Sequence, residues 1–133
     1  MGDTKYLSSL QIAIMRVLWA HGEATVADVH AAMQKERGLA ATTVATVLSR
    51  LEAGGLVEHY TEERRYVYRP LVSEAQVRRS MISELVDRLF GGDPSAMISH
   101  LLTESSVEAS DLETIKKILE AKEQEQNGTD ADR

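Results

Sequence analysis

The sequence predicts a mainly α-helical protein with a small β-hairpin wing, in which three short helices and the hairpin precede a second helical segment. Over residues 7–54, apolar side chains recur at the three- and four-residue spacing of amphipathic helices. After Gly54-Gly55 the apolar spacing changes to two, which is the spacing of a strand. From Ser73 onward the spacing is helical again.

Capping signals and glycines bound the first three helices. Ser8 and Thr25 each begin a helix, because each precedes an apolar stripe and has a side chain that can accept a hydrogen bond from the third residue of the helix. Gly38 follows the second helix. The third helix is predicted from about Ala41 to Glu52 and ends at Gly54-Gly55.

Two β-branched and aromatic runs, 56–60 and 66–70, are joined by the charged segment 61–65 and predict a hairpin. A hairpin alone is marginally stable, so we expect this one to pack on the preceding helices. Three helices followed by a hairpin is the element order of a winged helix-turn-helix domain, which we place at residues 1–72.

The second half predicts three more helices that lack a core of their own. Ser73 begins a second capping box, and Asp93-Pro94 is an N-cap followed by proline at the first helical position. The apolar stripes of these helices would be exposed in a monomer, so we expect residues 73–122 to form a dimerisation domain. The tail, residues 123–133, is rich in Glu, Gln and Asp, and we expect it to be disordered.

Composition excludes several classes of site. The chain has no cysteine, so it has no disulfide framework and no thiolate metal site, and its four histidines show no ligand spacing. No paired carboxylates, glycine-rich phosphate loop or nucleophile–base pattern is present, so the sequence supports neither an enzyme nor a cofactor. No signal peptide or membrane-spanning run is found, and we expect a cytoplasmic protein.

The net charge of −6 comes entirely from the second half. Residues 1–72 carry eight basic and eight acidic side chains, whereas residues 73–133 carry seven and thirteen. The neutral first half therefore permits a local DNA-binding face without demonstrating one.

One face of the third helix has an unusual composition for a solvent-exposed surface. It carries the hydroxyl side chains of Thr42, Thr46 and Ser49, flanked by Thr43 and Arg50. Exposed helix faces are usually rich in Glu, Lys and Gln, and threonine lowers helix propensity. Small hydroxyls let a helix approach bases closely in the major groove, so we predict that this face reads DNA, with Arg50 on guanine or, preferably, a phosphate. Thr42 has an equally good interpretation as a helix-start residue.

Three further residues are predicted to contact the DNA backbone. Thr25, like Thr43, lies near a helix N-terminus, where backbone N–H groups and the helix dipole suit a phosphate. Arg64 and Arg65 lie at the hairpin tip, within reach of an adjacent backbone or minor groove. The alternative is that Glu62 and Glu63, which precede the two arginines, neutralise their charges within the turn. Trp19 and the hairpin tyrosines are interpreted as packing groups.

Three segments together resemble the penicillinase repressor family, the BlaI/MecI/CopY group. They are Leu10–Trp19 with its Ile-x-x-x-Leu-Trp ending, Thr25-Val-Ala-Asp-Val, and the string from Thr42 through Arg50 to Gly55-Leu-Val. The resemblance spans residues 7–122. It implies a homodimeric transcriptional repressor that binds a palindromic operator without a cofactor, with base contacts at Thr42, Thr43, Thr46 and Arg50.

The same resemblance implies a route of derepression. Repressors of the β-lactam branch, which serve the antibiotic response, are cut within the C-terminal helices by a membrane-anchored metalloprotease, and the position maps near His100-Leu101. This sequence departs there from the asparagine–phenylalanine pair of the staphylococcal proteins. It also lacks the paired cysteines of the copper-responsive branch, which places it in the non-copper branch. A winged-helix module that binds protein and not DNA is the alternative that the charge distribution leaves open.

Overall fold

The computed structural model describes residues 7–35 and 37–131, and the side chains of those residues up to 128. The chain divides into two compact units, Met1–Arg88 and Leu89–Arg133. The described helices include none that is both long and apolar enough to cross a membrane.

The first unit begins with the three predicted helices: α1, Ser9–His21; α2, Val26–Gln34; and α3, Ala41–Ala53. The predicted caps are present at Ser8 for α1 and at Thr25 for α2, and each is a capping box in which the cap residue and the third helical residue exchange hydrogen bonds. Gly22 ends α1 with a φ of 83°, a conformation that costs residues with a Cβ about 1 kcal/mol or more. α3 begins at Ala40 without a side-chain cap.

The predicted hairpin is part of a three-stranded antiparallel sheet. Its strands β2, Val57–Glu62, and β3, Arg65–Pro70, pair in a register that sets Glu62 opposite Arg65. A two-residue strand, β1 (Ala24–Thr25), adds to the other edge of β3, so that the order is β1-β3-β2. β1 was not predicted, because two residues show no periodicity and their strand character comes only from pairing with Val67 and Tyr68.

The core of the first unit lies between α1, α2, α3 and the sheet. The fully buried side chains are Ile14, Met15, Leu18, Val29, Met33, Val44, Leu48, Leu51 and Val57. The apolar stripes predicted for the three helices supply most of them.

α4, Glu74–Leu89, begins at the predicted capping box of Ser73, and nearly all of it lies within the first compact unit. Val77 belongs to the hydrophobic core, and Met81 packs against that core. The Trp19 indole N–H donates a hydrogen bond to the Val72 carbonyl oxygen at 2.8 Å, just before the helix. The compact unit therefore ends at Arg88 and not at the expected residue 72, because packing on α1 joins this helix to the winged domain.

The second unit contains α5, Pro94–Glu104, and α6, Ala109–Ala131. Asp93 caps α5 as predicted, by accepting hydrogen bonds from the Ser95 and Ala96 N–H groups. The expectation of a disordered tail from residue 123 is wrong for the described part, since α6 continues to Ala131. Residues 123–126 are Glu and Gln, which are good helix formers and extend the helix of the preceding residues, whereas Asn127 and Gly128 have low helix propensity.

Candidate nucleic-acid interface

The exposed face of α3 is formed by the five residues that were predicted to read DNA. Thr42, Thr43, Thr46, Ser49 and Arg50 are all exposed. Val44, Leu48 and Leu51 are completely buried on the opposite side and fix the helix against the core. The structure therefore brings the predicted reading residues together on one solvent-facing surface of α3.

The side chain of Thr46 is oriented by its own helix. Its hydroxyl donates a hydrogen bond to the Thr42 carbonyl oxygen at 2.9 Å, a common arrangement for threonine within a helix. This bond restricts the χ1 rotamer of Thr46 and leaves its methyl group and hydroxyl lone pairs at the surface. A methyl group on a helix surface can pack on the 5-methyl group of thymine.

The charge of this face favours a polyanion. The exposed set contains Arg50 and no acidic residue, and α3 has no acidic side chain in its first turn. The one acidic residue of α3, Glu52, is partly buried, with its side chain 32% exposed, and is bound to His59. It accepts a hydrogen bond from the His59 backbone N–H at 3.1 Å and lies 2.7 Å from the His59 Nδ1.

Thr25 has a structural role that the sequence suggested only in part. Its side chain is 7% exposed, it pairs with Val67 in the sheet, and its hydroxyl accepts a hydrogen bond from the Asp28 N–H at 3.1 Å. In return, the Thr25 N–H donates to the Asp28 carboxylate at 3.1 Å, and hydrogen bonding to this carboxylate from the Thr25 backbone and side chain lowers the pKa of Asp28. Thr25 therefore caps α2 and is not part of the exposed α3 face.

The N-terminus of α2 nevertheless lies beside the hairpin tip. Thr25, Val26 and Ala27 line one side of a shallow concavity of about 290 Å³, and Arg64, Arg65 and Tyr66 line the other. The structure thus brings together the three residues that were predicted to contact the DNA backbone.

The hairpin tip is a two-residue turn with an unusual backbone. Glu63 and Arg64 have φ values of 50° and 66°, in the left-handed region that type I′ hairpin turns require and that Asn and Gly usually occupy. The two side chains therefore occupy positions at which glycine would be less strained.

The alternative interpretation, in which glutamates of the turn neutralise its arginines, applies to only one of the two arginines, Arg65. Arg65 Nη2 lies 3.7 Å from Glu63 Oε2, with the two side chains 58% and 81% exposed, so this ion pair is screened by water. Arg64 is exposed, and within the described part of the chain no ion pair to an acidic side chain is found for it. Its charge is therefore available to a phosphate.

Two contacts that sequence reasoning missed fix the hairpin relative to the helices. The His59 ring stacks on Tyr66 with 4.1 Å between ring centroids, while its Nδ1 contacts Glu52 at the end of α3. The Tyr60 hydroxyl donates a hydrogen bond to Glu23, which precedes β1, and this bond raises the pKa of Tyr60. No sequence signal pointed to these pairs, because their partners come together only when the chain reverses direction.

Comparison with known proteins gives a consistent result. Residues 7–121 match the family model described as penicillinase repressor. The chain is 33% identical over 113 residues to the transcriptional regulator BlaI of Mycobacterium tuberculosis, covering 84% of this chain and 82% of the relative. It is 24% identical over 114 residues to the penicillinase repressor of Bacillus licheniformis, covering 86% and 89% respectively.

Solved structures support the fold. The DNA-binding domain of the repressor BlaI, determined in solution, covers 56% of this chain and 92% of its own length, with 28% identity and a TM-score of 0.51. The structure of hsRosR-S4 covers 93% of this chain and 96% of its own, at 16% identity and a TM-score of 0.53. The second likeness concerns the fold alone.

Proposed function

The chain belongs to the penicillinase repressor family, and we propose that it represses transcription as a homodimer bound to a palindromic DNA operator. One observation carries the proposal: the exposed face of α3 presents Thr42, Thr43, Thr46, Ser49 and Arg50 with no acidic side chain. In this proposal α3 enters the major groove, which is wide enough to admit a helix. Such a repressor acts on the chromosome in the cytoplasm and needs neither catalysis nor a cofactor.

Within this proposal the two kinds of contact are divided between α3 and the wing. Thr42, Thr46 and Ser49 contact base edges, whereas Arg50 contacts a phosphate near the end of α3. Arg64 and Arg65 lie along the DNA backbone, and the first turn of α2 behind Thr25 faces a phosphate. The concavity shared by Thr25, Arg64 and Arg65 supports this arrangement.

Binding sites selected from a random DNA pool should contain an inverted repeat, and gel shifts on the selected sequence test the residues. Thr46→Ala should weaken binding and relax selectivity at one position in each half-site. Thr114→Ala is a matched control, because Thr114 is an exposed threonine that bonds to a carbonyl four residues earlier, at 3.1 Å, as Thr46 does. Equal affinities for both variants would exclude Thr46 from the interface.

Arg50 is tested by the salt dependence of binding. Arg50→Ala should lower affinity roughly tenfold per half-site near 0.1 M salt, and should lower the slope of log K against log salt by about one unit per half-site. Arg79→Ala is the control, since it removes the same charge from an exposed position on α4. An unchanged slope for Arg50→Ala would show that this side chain does not neutralise a phosphate.

Dimerisation through the second unit is supported by its exposed apolar surface. Ile98, Leu101, Leu102, Leu112, Ile118 and Leu119 are between 40% and 62% exposed. The described residues from 89 onward contribute no side chain to the buried core. Apolar helix faces of this extent are usually covered by a partner, and a second copy covers them symmetrically.

Sedimentation velocity tests the dimer. Leu102→Lys combined with Leu119→Lys should produce a monomer at micromolar concentration, because each charge would have to be buried in the apolar interface. The control combines Ser99→Lys with Gln124→Lys, which adds the same charges to exposed polar positions on the same two helices. If both double variants remain dimeric, the second unit is not the dimer interface.

We further propose that derepression proceeds by cleavage near His100-Leu101, by a membrane-anchored sensor metalloprotease. Both residues are exposed on α5, but the bond between them is helical, and the Thr103 hydroxyl bonds to the carbonyl oxygens of Ser99 and His100 at 2.9 and 3.4 Å. Local unwinding must therefore precede cleavage. Mass spectrometry of the protein from induced cells should detect fragments ending at about residue 100. Derepression with only intact chain present would contradict the proposal.

A further inference from the structure

A cavity of about 230 Å³ lies between α1 and α4 within the first unit, away from every residue assigned to DNA binding. Ile12 and Trp19 of α1 form one apolar wall, and Val77, Met81 and Ile82 of α4 form the other. A cavity of about 150 Å³ is large enough for a benzene molecule, whereas pockets for drug-sized ligands are usually larger than about 300 Å³. The space therefore suits a molecule of one ring with a small substituent.

The rim of the cavity carries an excess positive charge. Arg16 Nε lies 3.8 Å and Arg78 Nη2 lies 3.6 Å from the same carboxylate oxygen of Glu74. Among the described residues, two guanidinium groups thus share this one carboxylate, which gives the rim an excess of one positive charge. All three side chains are largely exposed, at 69%, 63% and 46% for Arg16, Arg78 and Glu74, so they can reorient toward a ligand at little cost.

We propose that this cavity binds a small aromatic monocarboxylate. The ring enters between the apolar walls, where the Trp19 indole provides an aromatic contact. The carboxylate stays at the rim, where the planar guanidinium groups of Arg16 and Arg78 can each donate two hydrogen bonds to it. The excess of one positive charge favours a monoanion over a neutral molecule or a cation. Inorganic anions lack the apolar surface that the walls would bury.

The cavity has a built-in optical probe, because Trp19 is the chain's single tryptophan. Benzoate titrated into the full-length protein should change the Trp19 fluorescence saturably, with half-saturation on the order of millimolar for a ligand of this size. Benzamide, the neutral isostere, should bind at least roughly threefold more weakly, because it lacks the charge that the two arginines attract. A linear response, or equal half-saturation for the two compounds, would overturn the proposal.

Three substitutions test whether positive charge at the rim strengthens the binding of benzoate. Arg78→Gln should weaken benzoate binding roughly two- to fivefold, which is the effect expected for the loss of an exposed ion pair. Glu74→Gln should strengthen benzoate binding. Arg79→Gln is the matched control, because it removes the same charge from the next position of α4 and its side chain does not line the cavity. Equal effects of Arg78→Gln and Arg79→Gln would show that only net charge matters, and would refute a site at the rim.

A second copy of the chain is the competing occupant of this cavity, since Ile82 is 44% exposed. Trp19 emission that depends on protein concentration and not on benzoate would identify that occupant and overturn the ligand site. A rise in the melting temperature with benzoate, smaller for Arg78→Gln than for the unaltered protein at the same benzoate concentration, would support the site by a second measurement. The result is independent of DNA binding, so the proposed repressor function stands or fails separately.

Discussion

Replacing Arg64 by glycine should stabilise the protein and, at the same time, weaken its binding to DNA. Arg64 is the second residue of the hairpin turn and has a φ of 66°. A residue with a Cβ in this conformation costs about 1–2 kcal/mol relative to glycine. Glycine also increases the entropy of the unfolded chain, which offsets about 0.4–1 kcal/mol of the gain. We therefore expect a net stabilisation of roughly 0.5–1 kcal/mol, measured by urea denaturation.

The same substitution removes a charge assigned to the DNA backbone. Each neutralised phosphate contributes about 0.9 to the slope of log K against log salt. Loss of one contact per half-site should lower the slope for the dimer by about 1.8 and reduce affinity roughly eightfold per half-site near 0.1 M salt. The assay is a gel-shift titration of the selected operator at several salt concentrations.

Glu63→Gly is the matched control for Arg64→Gly. Glu63 has a φ of 50°, so glycine should relieve comparable strain there while leaving Arg64 in place. We expect this variant to be stabilised to a similar degree and to bind DNA as well as, or more tightly than, the unaltered protein. If Arg64→Gly retains full affinity and an unchanged salt slope, the wing does not contact the backbone through Arg64, and the strained arginine has no role in DNA binding.

Three further predictions concern stability. Leu48→Ala should cost about 2–5 kcal/mol in urea denaturation because it leaves a cavity in the core, and a loss below 1 kcal/mol would mean that the core closes around it. Asp28→Asn should destabilise the protein at neutral pH, but the difference should shrink as the pH falls below about 4, because a carboxyl with a lowered folded pKa stabilises the folded state only while it is ionised. A difference that does not change with pH would contradict this. Gly22→Ala should destabilise the protein by about 1 kcal/mol because the φ of Gly22 is 83°, even though an added Cβ would meet no atom within 4 Å. Gly54→Ala should be nearly neutral, because the φ of Gly54 is −81° and an added Cβ would make only ordinary contacts. Equal melting temperatures for the two glycine variants would refute the conformational explanation.

The reading helix was predictable from sequence because the information is local. Val44, Leu48 and Leu51 recur at the spacing of a helix, so the opposite face must be exposed. The threonines on that face are unusual for an exposed helix surface, and the sequence alone shows them. The role of Thr25 could be predicted only in part from the sequence. Its capping box with Asp28 is a local signal, whereas its burial depends on pairing with Val67, which lies 42 residues later in the chain.

The helices, the caps of α1, α2 and α5, the hairpin and the solvent-facing side of α3 can be predicted from the sequence, because each depends on propensities and periodicities within a few residues. That β1 joins the sheet, that α4 packs on the winged domain, and that His59 and Tyr60 fix the wing through Glu52 and Glu23 depends on the folded structure. The folded structure also determines that Arg16 and Arg78 share Glu74 at the rim of a cavity. These contacts join residues that are distant in the chain, and only packing of the whole domain brings their side chains within reach.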